Sequence, residues 1–314
     1  MEHHLPGHLR DSDNDPSADR ARALAALEQF ANHDDLAMAV TILEDLAASS
    51  ELLGAHRHQP KITIFGSARI DVEHPAYAQV HELAGLLADD GYTVITGGGP
   101  GIMTAGLEGA GPGHAIGVAI TLPFETPYSK FPNVLQQRFL TRKLAMVRHV
   151  RGFVAAAGGF GTLDEVLEVL CLLQTGKKRP APVVLLDPPG EDAWARFDVW
   201  VRETLVPAGM INEQDLSLYR VVDSVEAAHA EIVHFSRRYK GIPYELTSGD
   251  PMALLVEPAL TTSEISQLSA RFVRLAPTGF WPISTSQGPA IAFDFDRRQW
   301  GQLRQLIDAL NVLN

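Results

Sequence analysis

The chain has 314 residues, of which 46% are hydrophobic and 20% are charged, and its formal net charge is −12. This composition is typical of a globular protein with room for one large domain, or for a medium domain with an accessory part. The acidic balance argues against a general nucleic-acid-binding surface and against an anionic membrane as a partner.

The first segment, residues 1–18, is polar and acidic, contains proline and lacks the apolar stretch of a signal peptide, so we expect a disordered tail. It contains His3, His4 and His8, but no clustered cysteine or second carboxylate supports them, and we expect no metal site. No apolar run in the chain approaches the length of a membrane span. These features predict a cytoplasmic protein.

The next segment, residues 19–58, is expected to be a helical extension. Apolar residues recur at helical spacing in two runs, which predicts two helices. Asp34 is a plausible N-cap for the second helix. We expect the extension to pack on the following domain or on a partner subunit.

Between residues 59 and 243, short apolar strands alternate with amphipathic helices, which predicts an α/β fold with a doubly wound, Rossmann-like parallel sheet. The expected strands begin at residues 61, 92, 114, 152, 181 and 219. The expected helices include residues 77–91, 133–150, 162–176, 193–210 and 224–239. The single cysteine, Cys171, lies in an apolar helical run, so we expect a small core residue and no disulfide framework.

The last segment, residues 244–314, is expected to form a small α+β appendage. Its pattern reads as a strand, a helix, a loop rich in proline and glycine, a second strand and a second helix, with the strands at residues 253–257 and 290–295. The loop contains Trp281, which we expect to pack the appendage onto the main domain; stacking on a base is the alternative.

Three glycine-rich turns each follow an expected strand and precede an expected helix. Such turns lie at the carboxyl edge of a parallel sheet, where these folds bind ligands. Their candidate ligand-binding residues are Gly66, Ser67, Gly98, Gly99, Gly101, Gly158, Gly159, Gly161 and Thr162. Glycine lets the backbone approach a ligand closely, and free N–H groups at a helix start favour an anion. Neither the dinucleotide fingerprint nor a P-loop matches, so a mononucleotide is favoured over a nicotinamide cofactor or ATP.

The helix expected at residues 133–150 carries basic side chains. Arg138 and Arg142 are four residues apart and share one face, with Lys143 beside them, and all three are candidates for substrate binding. Because the helix leads into the strand before the third turn, Arg142 is placed to reach the same edge of the sheet. A solvated basic face explains the spacing equally well.

Three motifs occur in order, namely GGGPGIM at residues 97–103, then Arg142, Lys143 and Met146, then GGFGTLDE at residues 158–165. Together they resemble the LOG family, which was long described as lysine decarboxylases. The family signature is similar to P-G-G-x-G-T-x-x-E, and here Ala157 replaces its proline, which removes some stiffness from the loop but no ligand-facing group. The resemblance covers residues 60–240 and is specific to the family, not to one substrate.

The resemblance implies a nucleoside 5'-monophosphate phosphoribohydrolase, which cleaves the N-glycosidic bond to give free base and ribose 5-phosphate. The best-known members release active cytokinins. By this analogy Arg142 and Glu165 are catalytic, and Met103 lies along the nucleotide cleft with the glycines of the second turn. Glu165 would stabilise positive charge on the sugar or activate the attacking water. A carboxylate that only stabilises the helix dipole is the alternative.

Two readings from other classes stay open. The first is a nucleotide- or molybdenum-cofactor-binding carrier or sensor without turnover, which would not need the pair Arg142 and Glu165. The second is a nucleosidase regulated through an effector site in residues 245–314. The resemblance implies a nucleoside monophosphate as substrate, no cofactor, and a homodimer or higher homo-oligomer.

Overall fold

The computed structural model of the chain describes residues 15–122, 128, 130–244 and 250–313. Most of the expected N-terminal tail, with its three histidines, lies outside the described residues. Helix α1 (Pro16–Leu27) begins inside the expected tail, so the tail prediction is wrong for residues 16–18. The Asp15 side chain caps this helix by accepting a hydrogen bond from Ser17 N at 2.8 Å, and Pro16 suits its first turn.

The second helix of the extension, α2 (His33–Ala55), is present as expected, but its cap is a different residue. Asn32 Oδ1 accepts a hydrogen bond from Asp35 N at 2.7 Å, so Asn32 is the N-cap. Asp34 lies in the first turn instead, where its charge favours the helix dipole.

The middle of the chain forms a seven-stranded sheet in the order β4-β3-β2-β1-β5-β6-β7, with parallel pairing throughout. The strands are β1 (Lys61–Phe65), β2 (Thr93–Thr96), β3 (Ala115–Ile120), β4 (Asn133–Gln136), β5 (Gly152–Ala155), β6 (Val183–Leu186) and β7 (Arg220–Val222). The helices are α3 (Pro75–Asp89), α4 (Ile102–Ala110), α5 (Phe139–Arg148), α6 (Phe160–Gln174), α7 (Ala193–Trp200), a π-helical turn (Val201–Leu205), a 3-10 helix (Glu213–Leu218) and α8 (Val225–Phe235). The predicted α/β, doubly wound fold is therefore confirmed.

Two apolar cores lie on opposite faces of this sheet, because successive strand residues point to opposite sides. Val154 of β5 packs in the core shared with α3, α4 and α8, whereas Phe153 packs in the core shared with α5 and α6. Cys171 is exposed, so the core prediction for it is wrong. It is two residues from the buried Val169 and Leu173, which puts it on the far side of α6.

The helix expected at residues 133–150 is shorter than its sequence suggests, because its first residues form strand β4 at the edge of the sheet. The reason lies in α2. The buried carboxylate of Asp45 accepts hydrogen bonds from Gln137 N, Arg138 N and Thr141 Oγ1, and so fixes the segment between β4 and α5. Hydrogen bonds from a distant helix leave no local signal at the start of α5.

The appendage contains a four-stranded antiparallel sheet in the order β10-β11-β9-β8. Its elements are β8 (Tyr239–Gly241), β9 (Met252–Val256), α9 (Thr262–Arg271), β10 (Trp281–Thr285), β11 (Gly288–Phe293) and α10 (Trp300–Asn311). Two sequence expectations are wrong here: α8 ends at Phe235 rather than continuing to residue 239, and part of the expected loop is strand β10. Asn311 Oδ1 accepts hydrogen bonds from Arg238 N and Tyr239 N, which holds this segment extended.

The appendage is fastened to the main domain through α10. Ser217 Oγ donates a hydrogen bond to Gly301 O at 2.7 Å, and a Cβ at Gly301 would lie 2.4 Å from Gln214 O. The buried Arg304 pairs with Glu231 of α8 and with Asp308. Trp281, by contrast, packs against the cores of the appendage itself.

Among the described residues, no helix is both long and apolar enough to cross a membrane. The same part of the chain contains no cluster of three or more His, Cys, Asp or Glu side chains suited to a metal ion.

Candidate active site

A cavity of about 590 Å³ opens at the carboxyl ends of β1, β2 and β5. Strand β1 lies between β2 and β5, so the chain reverses its direction across the sheet at this point. Crevices of this kind are where doubly wound sheets bind ligands. All three glycine-rich turns contribute to its lining, which the sequence had predicted from their position after strands.

The first and second turns are locked together by close backbone contact. Ile102 N donates to Ser67 O at 3.1 Å, and a Cβ at Gly101, whose φ is +66°, would lie 2.4 Å from Ser67 O. A Cβ at Gly97 would lie 1.8 Å from Arg142 Nη2. Glycine is therefore required at these two positions by packing and, at Gly101, also by backbone conformation.

The third turn exposes the start of α6 to the cavity. Gly159 is the N-cap and has no side-chain cap, and a Cβ at Gly159 or Gly161 would meet no atom within 4 Å. The first N–H groups of the helix thus face open space together with the positive end of its dipole. Thr162 is buried, and a Cβ at Gly158 would lie 2.1 Å from Thr162 Oγ1. An uncapped helix start of this kind favours an anion.

Arg142 is held rigidly by backbone carbonyls. Its Nε donates to Val118 O at 2.9 Å, and its Nη2 donates to Gly97 O at 3.1 Å. Met103 Sδ lies 3.7 Å from Nη2. These contacts aim the remaining nitrogen, Nη1, at Glu165 Oε1, which lies 3.7 Å away.

Glu165 lies within α6, and only 13% of its side chain is exposed. Burial raises the pKa of Glu165 to about 7, although the positive charge of Arg142 acts in the opposite direction. A carboxyl group with this pKa populates both protonation states near neutral pH, which suits a general acid or base. The pair combines a fixed positive charge with a group able to exchange a proton.

The predicted site residues divide into three sets. Those that line the cavity are Gly66, Ser67, Met103, Arg142, Gly159, Gly161, Thr162 and Glu165. Those that shape the turns without being part of the lining are Gly98, Gly99, Gly101 and Gly158. Those whose side chains lie elsewhere are Arg138, exposed at the start of α5, and Lys143, which pairs with Asp164 and Glu168 at 3.0 Å and 2.6 Å.

Two aromatic residues of the rim were missed by the sequence reasoning. Phe139 and Phe160 line the cavity, and they are 56% and 93% exposed. Phe160 is the variable residue of the motif GGFGT. An aromatic residue inside a glycine-rich turn was the signal from which it could have been predicted. Glu108 stands outside the lining and accepts hydrogen bonds from Tyr77 and Tyr128 at 2.9 Å and 2.6 Å.

Fold and cavity together define a Rossmann-like α/β protein with a ligand cleft at the carboxyl edge of its sheet. Residues 100–232 match the family model described as "Possible lysine decarboxylase". The cytokinin riboside 5'-monophosphate phosphoribohydrolase of Mycobacterium marinum (strain ATCC BAA-535 / M) is 26% identical over 167 residues, covering 49% of this chain and 86% of that protein. These matches confirm the resemblance to the LOG family.

Solved structures with a similar fold include two molybdenum-cofactor proteins. The molybdenum cofactor binding protein from Rippkaea orientalis is 20% identical and covers 54% of this chain and 93% of its own, with a TM-score of 0.40. The molybdenum cofactor carrier protein from Chlamydomonas reinhardtii is 22% identical, and the match covers 55% of this chain and 94% of that protein, with a TM-score of 0.39. These likenesses concern the fold alone.

Proposed function

We propose that the protein is a nucleoside 5'-monophosphate phosphoribohydrolase that releases a free base and ribose 5-phosphate. The observation that carries the proposal is one cavity with an uncapped helix start in its wall and the buried pair Arg142 and Glu165 beside it. The family match and the name of the Mycobacterium marinum relative support a hydrolase of this kind.

The 5'-phosphate is proposed to bind at the start of α6, where Gly159, Gly161 and Thr162 line the cavity and the first backbone N–H groups have no partner within the helix. Glu165 lies six residues after Gly159, which corresponds to roughly 9 Å along a helix axis. The carboxylate is therefore set back from the phosphate, in reach of the sugar. This spacing accounts for an acidic side chain next to an anion-binding turn.

In the proposed reaction, water attacks C1' as the bond from C1' to the base nitrogen breaks, and the base leaves with the bonding electrons. Glu165 accepts the proton of the attacking water, and that proton returns to the departing base. Positive charge that develops on the ribose is stabilised by the ionised carboxylate. Through its positive charge, Arg142 keeps part of the Glu165 population ionised.

The same cavity would also serve a carrier or sensor that binds a nucleotide or a molybdenum cofactor without turnover. Such a protein has no use for a carboxyl group with a pKa near 7 beside the ligand. The pair Arg142 and Glu165 thus favours the hydrolase over this second candidate.

We further propose that the chain forms a homodimer or a higher homo-oligomer. Apolar side chains lie exposed on the neighbouring helices α5 and α6, namely Phe139, Leu140, Leu144, Phe160 and Leu167. Several exposed apolar side chains on two neighbouring helices are typical of a contact site between proteins. Light scattering at several concentrations measures the mass, and a strictly monomeric chain would contradict the proposal.

The test is base release from AMP, GMP, CMP, UMP, IMP and isopentenyladenosine monophosphate, measured for the wild type, Glu165→Gln and Asp164→Asn. We expect Glu165→Gln to lower kcat by about 100-fold or more, as for loss of other acid–base groups. Asp164 is the matched control, since it is the adjacent carboxylate and 61% of its side chain is exposed. Nucleosides without phosphate should be poor substrates. Tight binding of a monophosphate with no release of base would contradict the hydrolase and support the carrier or sensor.

A further inference from the structure

A second cavity, of about 290 Å³, lies at the edge of the sheet opposite the candidate active site. It is formed where α2 and α5 end and where β1 and β5 begin. Five of its lining residues carry basic side chains, namely Arg57, His58, Lys61, His149 and Arg151, and no lining residue carries a carboxylate. In a chain with a net charge of −12, this is a pronounced local concentration of positive charge.

Lys61 stands at the base of this basic cavity and is only 3% exposed. Its Nζ donates to His56 O at 2.5 Å and to Gln59 O at 3.1 Å, and no carboxylate of the described residues pairs with it. Burial and the nearby Arg151 guanidinium lower the pKa of Lys61. A buried ammonium group without an acidic partner is costly, and an anion in the cavity would supply the compensating charge.

The other basic groups are arranged to share one ligand. Arg151 precedes β5, and within the described part of the chain its side chain has no ion-pair partner. Arg57 follows α2, and its Nε donates to His58 Nε2 at 3.1 Å. His149 caps the end of α5, and its burial together with the charges of Arg148, Lys61 and Lys178 lowers its pKa. Two guanidinium groups and an ammonium group therefore border one small space.

We propose that this basic cavity binds a small phosphorylated anion. Guanidinium groups donate paired hydrogen bonds to phosphate oxygens, and a phosphoryl group offers several oxygens with up to two negative charges to donors from different directions. The volume suits a phosphoryl group with no more than a sugar-sized remainder. The acidic balance of the rest of the surface disfavours a nucleic-acid chain as the ligand.

Titration calorimetry with inorganic phosphate, pyrophosphate and ribose 5-phosphate tests the proposal on the full chain. We expect saturable binding that weakens by about tenfold or more in Arg57→Ala and in Arg151→Ala, the scale of one lost charge-assisted hydrogen bond. Arg148→Ala is the matched control, because it removes an equal charge from the end of α5 but lies outside the lining. It should change affinity by less than about threefold.

The phosphate-binding turn of α6 is a second place where these probes would bind, so every titration is repeated in a Gly159→Asp background. That substitution puts a carboxylate where a side chain meets no atom within 4 Å. Binding that persists there but is lost on Arg151→Ala supports the basic cavity. The proposal is overturned if binding disappears with Gly159→Asp alone. It is also overturned if Arg57→Ala and Arg151→Ala leave binding unchanged. A stronger response to ribose 5-phosphate than to phosphate would identify a sugar phosphate as the ligand.

Discussion

The raised pKa of Glu165 comes from its surroundings. Burial opposes ionisation, and Arg142 offsets only part of this effect because its nearest nitrogen stays 3.7 Å away, beyond a hydrogen bond. Val118 O and Gly97 O hold the guanidinium at this position. The carboxyl group therefore keeps a pKa of about 7 instead of the low value that a direct ion pair would give.

This pKa predicts how stability depends on pH. In the unfolded chain Glu165 titrates near its ordinary value of 4.5, and in the folded protein near 7. Protonation of Glu165 therefore makes its full contribution to the free energy of unfolding below pH 4.5. That contribution is lost as the pH rises through about 7. We expect Glu165→Gln to gain up to about 3 kcal/mol relative to the wild type between pH 4.5 and pH 8.

Urea unfolding of both proteins at pH 5, 6, 7 and 8 measures this difference. Asp192→Asn is the control here, since its side chain is 58% exposed and its charge is not among those that shift the pKa of Glu165. The wild-type pH profile of kcat/KM should also fall below about pH 7, because the base must be ionised. A stability difference that is constant with pH would contradict the assigned pKa.

Two neighbouring glycines of the third turn are expected to respond differently to alanine. At Gly158 the new Cβ would lie 2.1 Å from Thr162 Oγ1, so Gly158→Ala should destabilise the protein by about 1–3 kcal/mol. At Gly159 nothing lies within 4 Å, so Gly159→Ala should leave the melting temperature unchanged. It should instead raise KM, since a methyl group then occupies the phosphate-binding turn. Thermal unfolding and steady-state kinetics separate the two effects, and equal destabilisation would contradict the packing argument.

At the scale of single elements, α5 depends on α2. The Asp45 carboxylate accepts hydrogen bonds from two backbone N–H groups and from Thr141 Oγ1. Asp45→Ala removes the acceptor of the two part-buried N–H groups and one of the two acceptors of Thr141 Oγ1, and we expect a loss of about 2 kcal/mol in the free energy of unfolding. Activity should fall as well, because α5 carries Arg142.

Denaturant unfolding checks this, with Asp34→Ala as the matched control. Asp34 is another acidic residue of α2, and its side chain is fully exposed. We expect it to change stability by less than about 0.5 kcal/mol. A similar loss for both variants would mean that Asp45 acts through the charge of α2 rather than through its hydrogen bonds to the start of α5.

The elements also show which sequence signals were reliable. Six of the seven strands of the parallel sheet were predictable, because each is a short apolar run that ends at a turn; β4 was predicted as part of a helix. The start of α5 and the strand β8 were not, because Asp45 and Asn311 supply their hydrogen bonds from positions 92 and 72 residues away in sequence. Local periodicity carries no information about such partners.

At the scale of the whole molecule, the appendage is joined to the main domain by a buried charge network. Arg304 is 3% exposed and pairs with Glu231 and Asp308, and Arg220 pairs with Asp308 at 2.5 Å. Removing Arg304 leaves the partly buried carboxylate of Glu231 without its partner, whereas Asp308 keeps Arg220. We expect Arg304→Met to destabilise the protein by about 3 kcal/mol.

Differential scanning calorimetry measures this effect. Arg298→Met is the control, because its side chain is 89% exposed and pairs only locally with Asp296. If appendage and main domain unfold as one unit, Arg304→Met keeps a single transition at lower temperature. An unchanged transition in Arg304→Met would contradict the role of the network.

The sequence by itself determined the fold class and which residues compose the proposed site. Apolar runs predicted most of the strands, and glycine motifs followed by Thr162 and Glu165 predicted a helix start that favours an anion, with a carboxylate beyond it. Only the tertiary structure decided which basic residue meets that carboxylate. Arg138, Arg142 and Lys143 all lie near the start of α5. Of these three, only Arg142 has its guanidinium fixed by carbonyls of β3 and the second turn. The physical reason is that burial, and with it the pKa of Glu165, depends on contacts between segments far apart in the chain.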